Sequence, residues 1–355
     1  MKEIAIITII DYFNFGNRLQ NYALQEVLKE INCNSITLLN YPYRNTHKNY
    51  LFRQIKHLFN KPTNKDIRYN YFDNFNKRIN FSKRPISIYS NLNKFDYVIV
   101  GSDQVWNPNI GRLRDLDLLM NVNPNKRISY AASFGVSKLD LDNNYQEKIK
   151  GELLKFKNIS VREESGKEII FNLIGRTDTQ VVLDPTMLLL ANDWEKVIKI
   201  PEQINSIKGK KYILNYFLGD LLENNMKKIQ MFADENDCEI INLLDVNSIF
   251  YNCGPSEFLY LIKNAYLICT DSFHSSVFSI LFHKPFLVFE RKDAHINMGS
   301  RISSLLNKFN LNSNYFDGTV NKKIFNTDYS NVDKKLEDER KKSIDFLIRA
   351  LEIQY

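Results

Sequence analysis

Apolar residues in this chain fall into short continuous runs that alternate with longer amphipathic stretches. Glu3 to Ile10 is β-branched and apolar and predicts a strand. Asn17 to Glu30 carries Leu19, Ala23 and Val27 on one stripe that continues to Ile31, the spacing of a helix. Strands are predicted again over Ser35 to Leu39, Phe95 to Val100, Arg127 to Ala132, Ile159 to Val161 and Val181 to Leu183, with helices over Asn143 to Phe156 and Glu163 to Leu173. The pattern then restarts, with strands over Lys211 to Phe217, Glu239 to Leu243, Tyr266 to Cys269 and Phe286 to Phe289. Helices over Asp220 to Asn236, Pro255 to Asn264, His274 to Phe282, Ser300 to Phe309 and Val332 to Glu352 complete the second set.

Continuous apolar strands alternating with helices imply parallel sheets covered on both faces. Two such sets predict an α/β protein of two doubly wound, Rossmann-like domains facing a cleft. The first domain spans 1–191, a polar linker 192–210, the second domain 211–330, and a closing helix 331–355. Ligands of such folds sit outside the carboxyl ends of the strands, so candidate chemistry belongs there.

Composition narrows the class. The 355 residues suit two domains of ordinary size, and abundant Tyr and Phe with sparse Gly argue against disorder. Cys33, Cys238, Cys253 and Cys269 are scattered, which argues against a disulfide framework or a zinc site and fits a reducing cytoplasm. The start, Met1-Lys2-Glu3-Ile4, lacks the apolar core of a signal peptide. The best apolar run, Val277 to Phe289, is broken by His283, Lys284 and Pro285, too early to span a bilayer. A cytoplasmic protein is expected.

The net charge of +7 is unevenly placed. Between Arg44 and Arg84 lie many Lys and Arg residues, Arg68 among them, interleaved with aromatics such as Tyr69, Phe72 and Phe75, within an insertion over about 44–90. Such a mixture suits an anionic membrane surface or a nucleic-acid groove. It equally suits a helical insertion with a solvated basic face whose aromatics pack on the domain. Nucleic acid ranks last, because no recognised binding module appears.

Five segments carry candidate chemistry. Thr270-Asp271-Ser272-Phe273-His274-Ser275-Ser276 joins a strand to a helix and seats a histidine where backbone N–H groups converge, a natural place for an anion and a proton-transfer group. A packed core histidine is the competing reading. After the first strand, Asn14, Asn17, Arg18 and Gln20 offer amides and a guanidinium to a hydroxyl-rich ligand, with Tyr12 or Phe13 to stack on a sugar. Helix capping by Asn14 or Asn17 is the plainer alternative. Val100-Gly101-Ser102-Asp103 places a carboxylate at a sheet edge, able to orient or deprotonate a hydroxyl, and Trp106 is either a flat wall or core. Arg162 at another strand end suits a bidentate anion clamp or a surface pair with a neighbouring glutamate. Leu183-Asp184-Pro185-Thr186 reads as a structural turn, while Arg291 and Arg301 follow the last strand.

Together these pieces resemble the polysaccharide pyruvyl transferase family. The matching segments are Phe15 to Gln25, Val100 to Pro108, Ser160 to Glu163, Leu183 to Thr186, Thr270 to His274 with Lys284-Pro285, and Ser300 to Ile302. The resemblance implies a GT-B-like architecture. It also implies transfer of the enolpyruvyl portion of phosphoenolpyruvate onto sugar hydroxyls, usually as a cyclic ketal. By the same resemblance His274 matches the family's donor-site histidine and Arg162 an arginine that holds the donor's anionic groups; on that footing His274 is expected to be the acid/base residue and Arg301 a second donor clamp, with Arg291, Ser272 and Ser275 beside them. Asp103 belongs to the catalytic set, and Asn14, Asn17, Arg18, Gln20 and Trp106 to the acceptor side. Several family members have Arg-Leu before the histidine, whereas Ser272-Phe273 stand here, so either Arg291 or Arg301 supplies the missing donor cation or this chain handles a different donor. Phosphoenolpyruvate is then a substrate, no cofactor or metal is required, and a lipid-linked glycan acceptor at the inner face of the membrane would suit the basic insertion. A nucleotide-sugar glycosyltransferase and a non-catalytic glycan-binding protein on the same fold are the alternatives.

Overall fold

The computed structural model describes residues 1–11, 13–40, 62–291 and 299–354. The first domain is built from β1 (Lys2–Ile7), α1 (Phe15–Glu30), β2 (Cys33–Leu39), α2 (Asn64–Asn76), β3 (Phe81–Pro85), β4 (Tyr97–Val100), β5 (Arg127–Ala132), α3 (Asn143–Leu153), β6 (Asn158–Val161), α4 (Glu164–Ile174) and β7 (Gln180–Val181). Its seven strands lie in the order β3-β2-β1-β4-β5-β6-β7, every neighbouring pair parallel. The chain reverses its direction of sheet growth between β1 and β4, which opens a crevice at their carboxyl ends.

A short helix, α5 (Ala191–Glu195), leads to the second domain. There β8 (Lys211–Tyr216), α6 (Glu223–Glu235), β9 (Cys238–Asn242), α7 (Pro255–Asn264), β10 (Leu267–Thr270), α8 (Phe273–Leu281), β11 (Phe286–Val288) and α9 (Gly299–Lys308) follow in chain order. The four strands lie in the order β11-β10-β8-β9, again all parallel, and the switch falls between β8 and β10. The expected α/β fold of two doubly wound sheets is the one found.

The two sheets share one core. Ile4, Ile6, Phe15 and Leu19 of the first domain belong to the same buried cluster as Leu214, Phe258 and Phe278 of the second. The Phe15 ring stacks on Phe258 with centroids 4.5 Å apart. The other face of the first sheet has its own core, including Val98, Trp106, Phe134 and Phe156.

Two segments tie the domains together. The stretch 192–210 is a joint between the domains: Trp194 is fully buried, meeting Phe278 edge-on at 4.9 Å. The closing helix, α10 (Ser330–Ala350), binds both domains. Its Arg340 Nε donates to the Met187 carbonyl and Ser343 Oγ accepts from Leu183 N–H, while Asp333 and Glu339 pair with His283 and Lys308.

Of the basic aromatic insertion, Arg44, Lys48, Arg53, Lys56 and Lys61 lie outside the described residues. In its described part α2 begins with a capping box between Thr63 and Asp66. Arg68 is a core residue, buried against the rings of Phe15, Phe72 and Tyr251 and donating to the Tyr251 and Phe13 carbonyls. Tyr69, Phe72 and Phe75 are buried with it. Lys65, Lys77, Arg78, Lys83 and Arg84 remain exposed.

Candidate functional site

The carboxyl ends of β1, β4, β5, β6, β7 and β10 converge, and a buried ionic cluster fills the convergence. Gly101 ends β4 at φ +120°, and a Cβ there would lie 2.1 Å from the Tyr130 carbonyl oxygen. Only glycine lets the chain pass that close and turn Asp103 inward. Asp103 is buried, accepts from its own neighbour Gln104 N–H and from Arg162 Nη2 at 3.3 Å, and accepts from Asn17 Nδ2 across the crevice.

Arg162 follows β6 and is shared among carboxylates. Its Nη1 donates to Asp184 Oδ2 at 2.8 Å, and its Nε lies 3.8 Å from Glu163 Oε2. The Phe273 ring covers the guanidinium at 4.3 Å from its centroid. Glu163, fully buried, also accepts from Ser133 Oγ. Burial alone would lower the pKa of Arg162, but Asp103, Asp184 and Glu163 outweigh it and raise it. Burial would likewise lift Asp103, yet Arg162, His274 and Arg301 hold it below the usual carboxylate range.

Asp184 is the residue that sequence reasoning missed. Its Oδ1 accepts from Thr186 N–H and Oγ1, which is the structural turn that the sequence suggested. Its Oδ2 does something else: it accepts from Ser102 Oγ at 2.8 Å and from Arg162, and lies 3.7 Å from His274 Nε2. Burial opposes its ionisation, but His274 and Arg162 pull its pKa well below the ordinary value.

His274 stands in the first turn of α8. Ser272 caps that helix, its Oγ accepting from Ser275 N–H, and Ser276 Oγ donates back to the Ser272 carbonyl. The imidazole is buried, but among Asp184, Phe273 and the first turn of α1 rather than in hydrocarbon. Its Nε2 and the Ser275 hydroxyl are buried without a hydrogen-bond partner among the described residues.

Arg301, in α9, completes the cluster. It is buried, with Nη1 and Nη2 donating at 3.1 and 3.2 Å to the side-chain amide oxygen of Gln104, in the amide orientation that satisfies both groups, and Nε without a partner among the described residues. Among the described residues no carboxylate lies within ion-pair distance of it. Burial, and after it the nearby Arg162, push its pKa down to about 10. Arg301, Arg162, Asp184 and Phe273 line one cleft of about 380 Å³, whose other wall is apolar, with Leu183, Met187 and Leu305.

Other expected site residues lie elsewhere. Trp106 is fully buried in the second core, with its indole N–H donating to the Asp117 carbonyl, so it offers no wall to a ligand. A large aromatic at a strand end packs beneath the sheet here because Phe134 and Phe156 bury it. Arg18 is fully buried and donates to the Ile9 carbonyl, its guanidinium over Phe81. Gln20 donates to Thr8 Oγ1 and the Asn17 carbonyl and braces the loop after β1. Asn14 caps α1. Arg291 grips Asp271, whose carboxylate also accepts from Leu218 and Gly219 N–H. Tyr12 lies outside the described residues, and Phe13 is partly exposed beside Phe72. Among the described residues no group of three or more His, Cys, Asp or Glu side chains is arranged to hold a metal ion. No helix among them is long and apolar enough to cross a membrane.

Two doubly wound domains closing on a cleft lined at their strand ends define a GT-B-like fold, and solved structures agree. Over its whole length the chain is similar to S. aureus MnaA, solved with UDP, at 13% identity and a TM-score of 0.54 with 98% of that chain covered. It is similar to the UDP-GlcNAc 2-epimerase of Neisseria meningitidis bound to UDP-GlcNAc, at 11% identity and a TM-score of 0.52 over all of both chains. It also resembles the Methanocaldococcus jannaschii UDP-GlcNAc 2-epimerase in complex with UDP-GlcNAc and UDP, at 15% identity and a TM-score of 0.50 over all of both chains. No curated protein sequence matches significantly. The sequence model of the polysaccharide pyruvyl transferase family matches residues 14–293, and the chain belongs to that family. That places it among transferases of polysaccharide biosynthesis acting on a glycan.

Proposed function

We propose that this protein moves the pyruvyl group of phosphoenolpyruvate onto two hydroxyls of a sugar in a cell-surface polysaccharide or its lipid-linked precursor, closing a pyruvate ketal. One hydroxyl oxygen bonds to C2 of the donor and gives up its proton, while a proton is added to the methylene carbon, which becomes a methyl group, so this addition is proton-neutral. The second hydroxyl oxygen then bonds to C2 as the C–O bond to phosphate breaks. Phosphate leaves with the second hydroxyl's proton, and the atoms balance.

The observation that carries the reading is Arg301. A buried guanidinium without a carboxylate partner is costly unless an anion completes it. Arg301 shares its cleft with Arg162, and α8 turns its N-terminus toward the same cluster. A small dianion with a carboxylate fits that need. It also accounts for Ser272 at a position where several family members carry arginine: Arg301, from α9, takes over the charge. His274 delivers the proton to the methylene carbon. Asp103, held ionised, is a weak base, and its task is to steady the positive charge that develops at C2 and to orient the acceptor beside Asn17.

Calorimetry with phosphoenolpyruvate against a panel of nucleotide sugars tests this. Phosphoenolpyruvate should bind the wild type, and Arg301→Gln should weaken it about 10–100-fold, the loss of one or two charge-assisted hydrogen bonds. Binding of a nucleotide sugar with none of phosphoenolpyruvate would overturn the reading in favour of an ordinary glycosyltransferase. In a phosphate-release assay with the true acceptor, His274→Ala should lose turnover. The membrane part is separate: anionic liposomes should float the protein at low salt and release it as salt rises. Absence of co-flotation at low salt would remove only that part.

A further inference from the structure

Gly16 lies in the first turn of α1, a place where alanine would favour the helix by about 0.5–1 kcal/mol. What glycine supplies here is space. A Cβ on residue 16 would lie 2.0 Å from Nδ1 of His274, 2.4 Å from Cγ and 2.6 Å from Cε1. The Nδ1 corner of the imidazole therefore fills the volume that any other side chain would claim. On the other side of the ring, Nε2 faces Asp184 Oδ2 at 3.7 Å. Gly16 and Asp184 belong to the first domain and His274 to the second.

We infer that Gly16 is a positioning residue. With Asp184 it forms a slot in the first domain that aims the imidazole of the second. The inference rests on the reading of His274 as the acid. Its neighbours in α1 hold the slot in place. Phe15 is buried and stacked on Phe258 and Phe72, so the start of the helix cannot slide away from the ring. Asn17 donates to Asp103 and ties the same turn to the ionic cluster. Three consecutive residues thus anchor the turn, clear room for the imidazole and orient the nearby carboxylate.

The test is Gly16→Ala, alone and combined with His274→Ala. A methyl group forced against the ring should lower the melting temperature by about 2–8 °C, as overpacking does. Removal of the ring should cancel that loss, so that the double variant melts within about 2 °C of His274→Ala. Equal losses in both backgrounds would mean that α1 needs glycine for some other reason, and the inference would fail. Should Gly16→Ala not fold, a folded double variant supports the slot and an unfolded one overturns it. The imidazole Cε1–H resonance, assigned by its loss in His274→Ala, should move in folded Gly16→Ala; an unmoved resonance also overturns the idea. These measurements need no substrate, so they stand whether or not phosphoenolpyruvate is the donor. With turnover established, Gly16→Ala should cut kcat about 10–100-fold with little change in donor KM and alter the pH–rate profile. An unchanged kcat and profile would reject the positioning role.

Discussion

At the scale of single residues, the informative case is Asp184. Its setting in Leu183-Asp184-Pro185-Thr186 looks like a turn, and one carboxylate oxygen makes that turn. The other oxygen enters the ionic cluster, a partnership spread over residues 102, 162 and 274 that no local pattern encodes. His274, Arg162, Asp103 and Asn17 stood out as candidates because each is a polar residue that follows a strand, directly or in the first turn of the next helix. Trp106 and Arg18 were misread for the same reason, since a strand end says nothing about which side of the sheet a side chain enters. The sign of the pH effect follows from the depressed pKa values of Asp184 and Asp103. A carboxylate that binds its proton less readily in the folded state contributes stability above its unfolded pKa, near 4, and loses it as pH falls further. Acid unfolding should therefore begin below about pH 4. Asp184→Asn should lower stability at pH 7 by about 3–5 kcal/mol, because Arg162 loses a buried partner. The gap to the wild type should narrow at pH 3. Urea midpoints at both pH values check this, and equal midpoints at pH 7 would contradict it.

At the scale of elements, α2 shows how a charged sequence becomes core. Arg68 stands in a stretch whose basic residues suggested a surface, yet it sits in a box of Phe15, Phe72 and Tyr251. Burial lowers its pKa, and its hydrogen bonds go to backbone carbonyls of both domains. Arg68→Ala should cost about 2–4 kcal/mol, through lost packing and unpaired carbonyls. Arg68→Met, which keeps the volume, should cost clearly less. Guanidinium unfolding of the two variants separates packing from charge; equal losses would assign the effect to the charge. The capping box and helical character of α2 follow from local chemistry. The edge strand β3 was not foreseen, because Lys83, Arg84 and Pro85 fit only an exposed edge whose one neighbour, β2, lies far away in sequence.

At the scale of the whole molecule, two sheets behave as one body. A single buried cluster spans both, Trp194 plugs the joint, and α10 is bonded to each. Inter-domain contacts are more often small and polar, which permits independent motion and separate unfolding. Here calorimetry should show one cooperative transition, and deletion of residues 330–355 should destabilise both domains together. Two resolved transitions, with the first domain unaffected by the deletion, would show that the shared core does not couple them.

The alternation of apolar runs with helical stripes was enough to specify two parallel sheets and to point to their carboxyl ends, because burial on both faces imposes that pattern on the residues themselves. It also presented an imidazole and several guanidinium groups at those ends. Which of them meet was decided by the tertiary structure alone. Arg301 beside Gln104 and Arg162, Asp184 between Arg162 and His274, and the space above Gly16 are relations among residues up to some hundreds of positions apart. They exist only when the two sheets close, since contact and the strength of charge in a dry site depend on distance in space and not on distance along the chain.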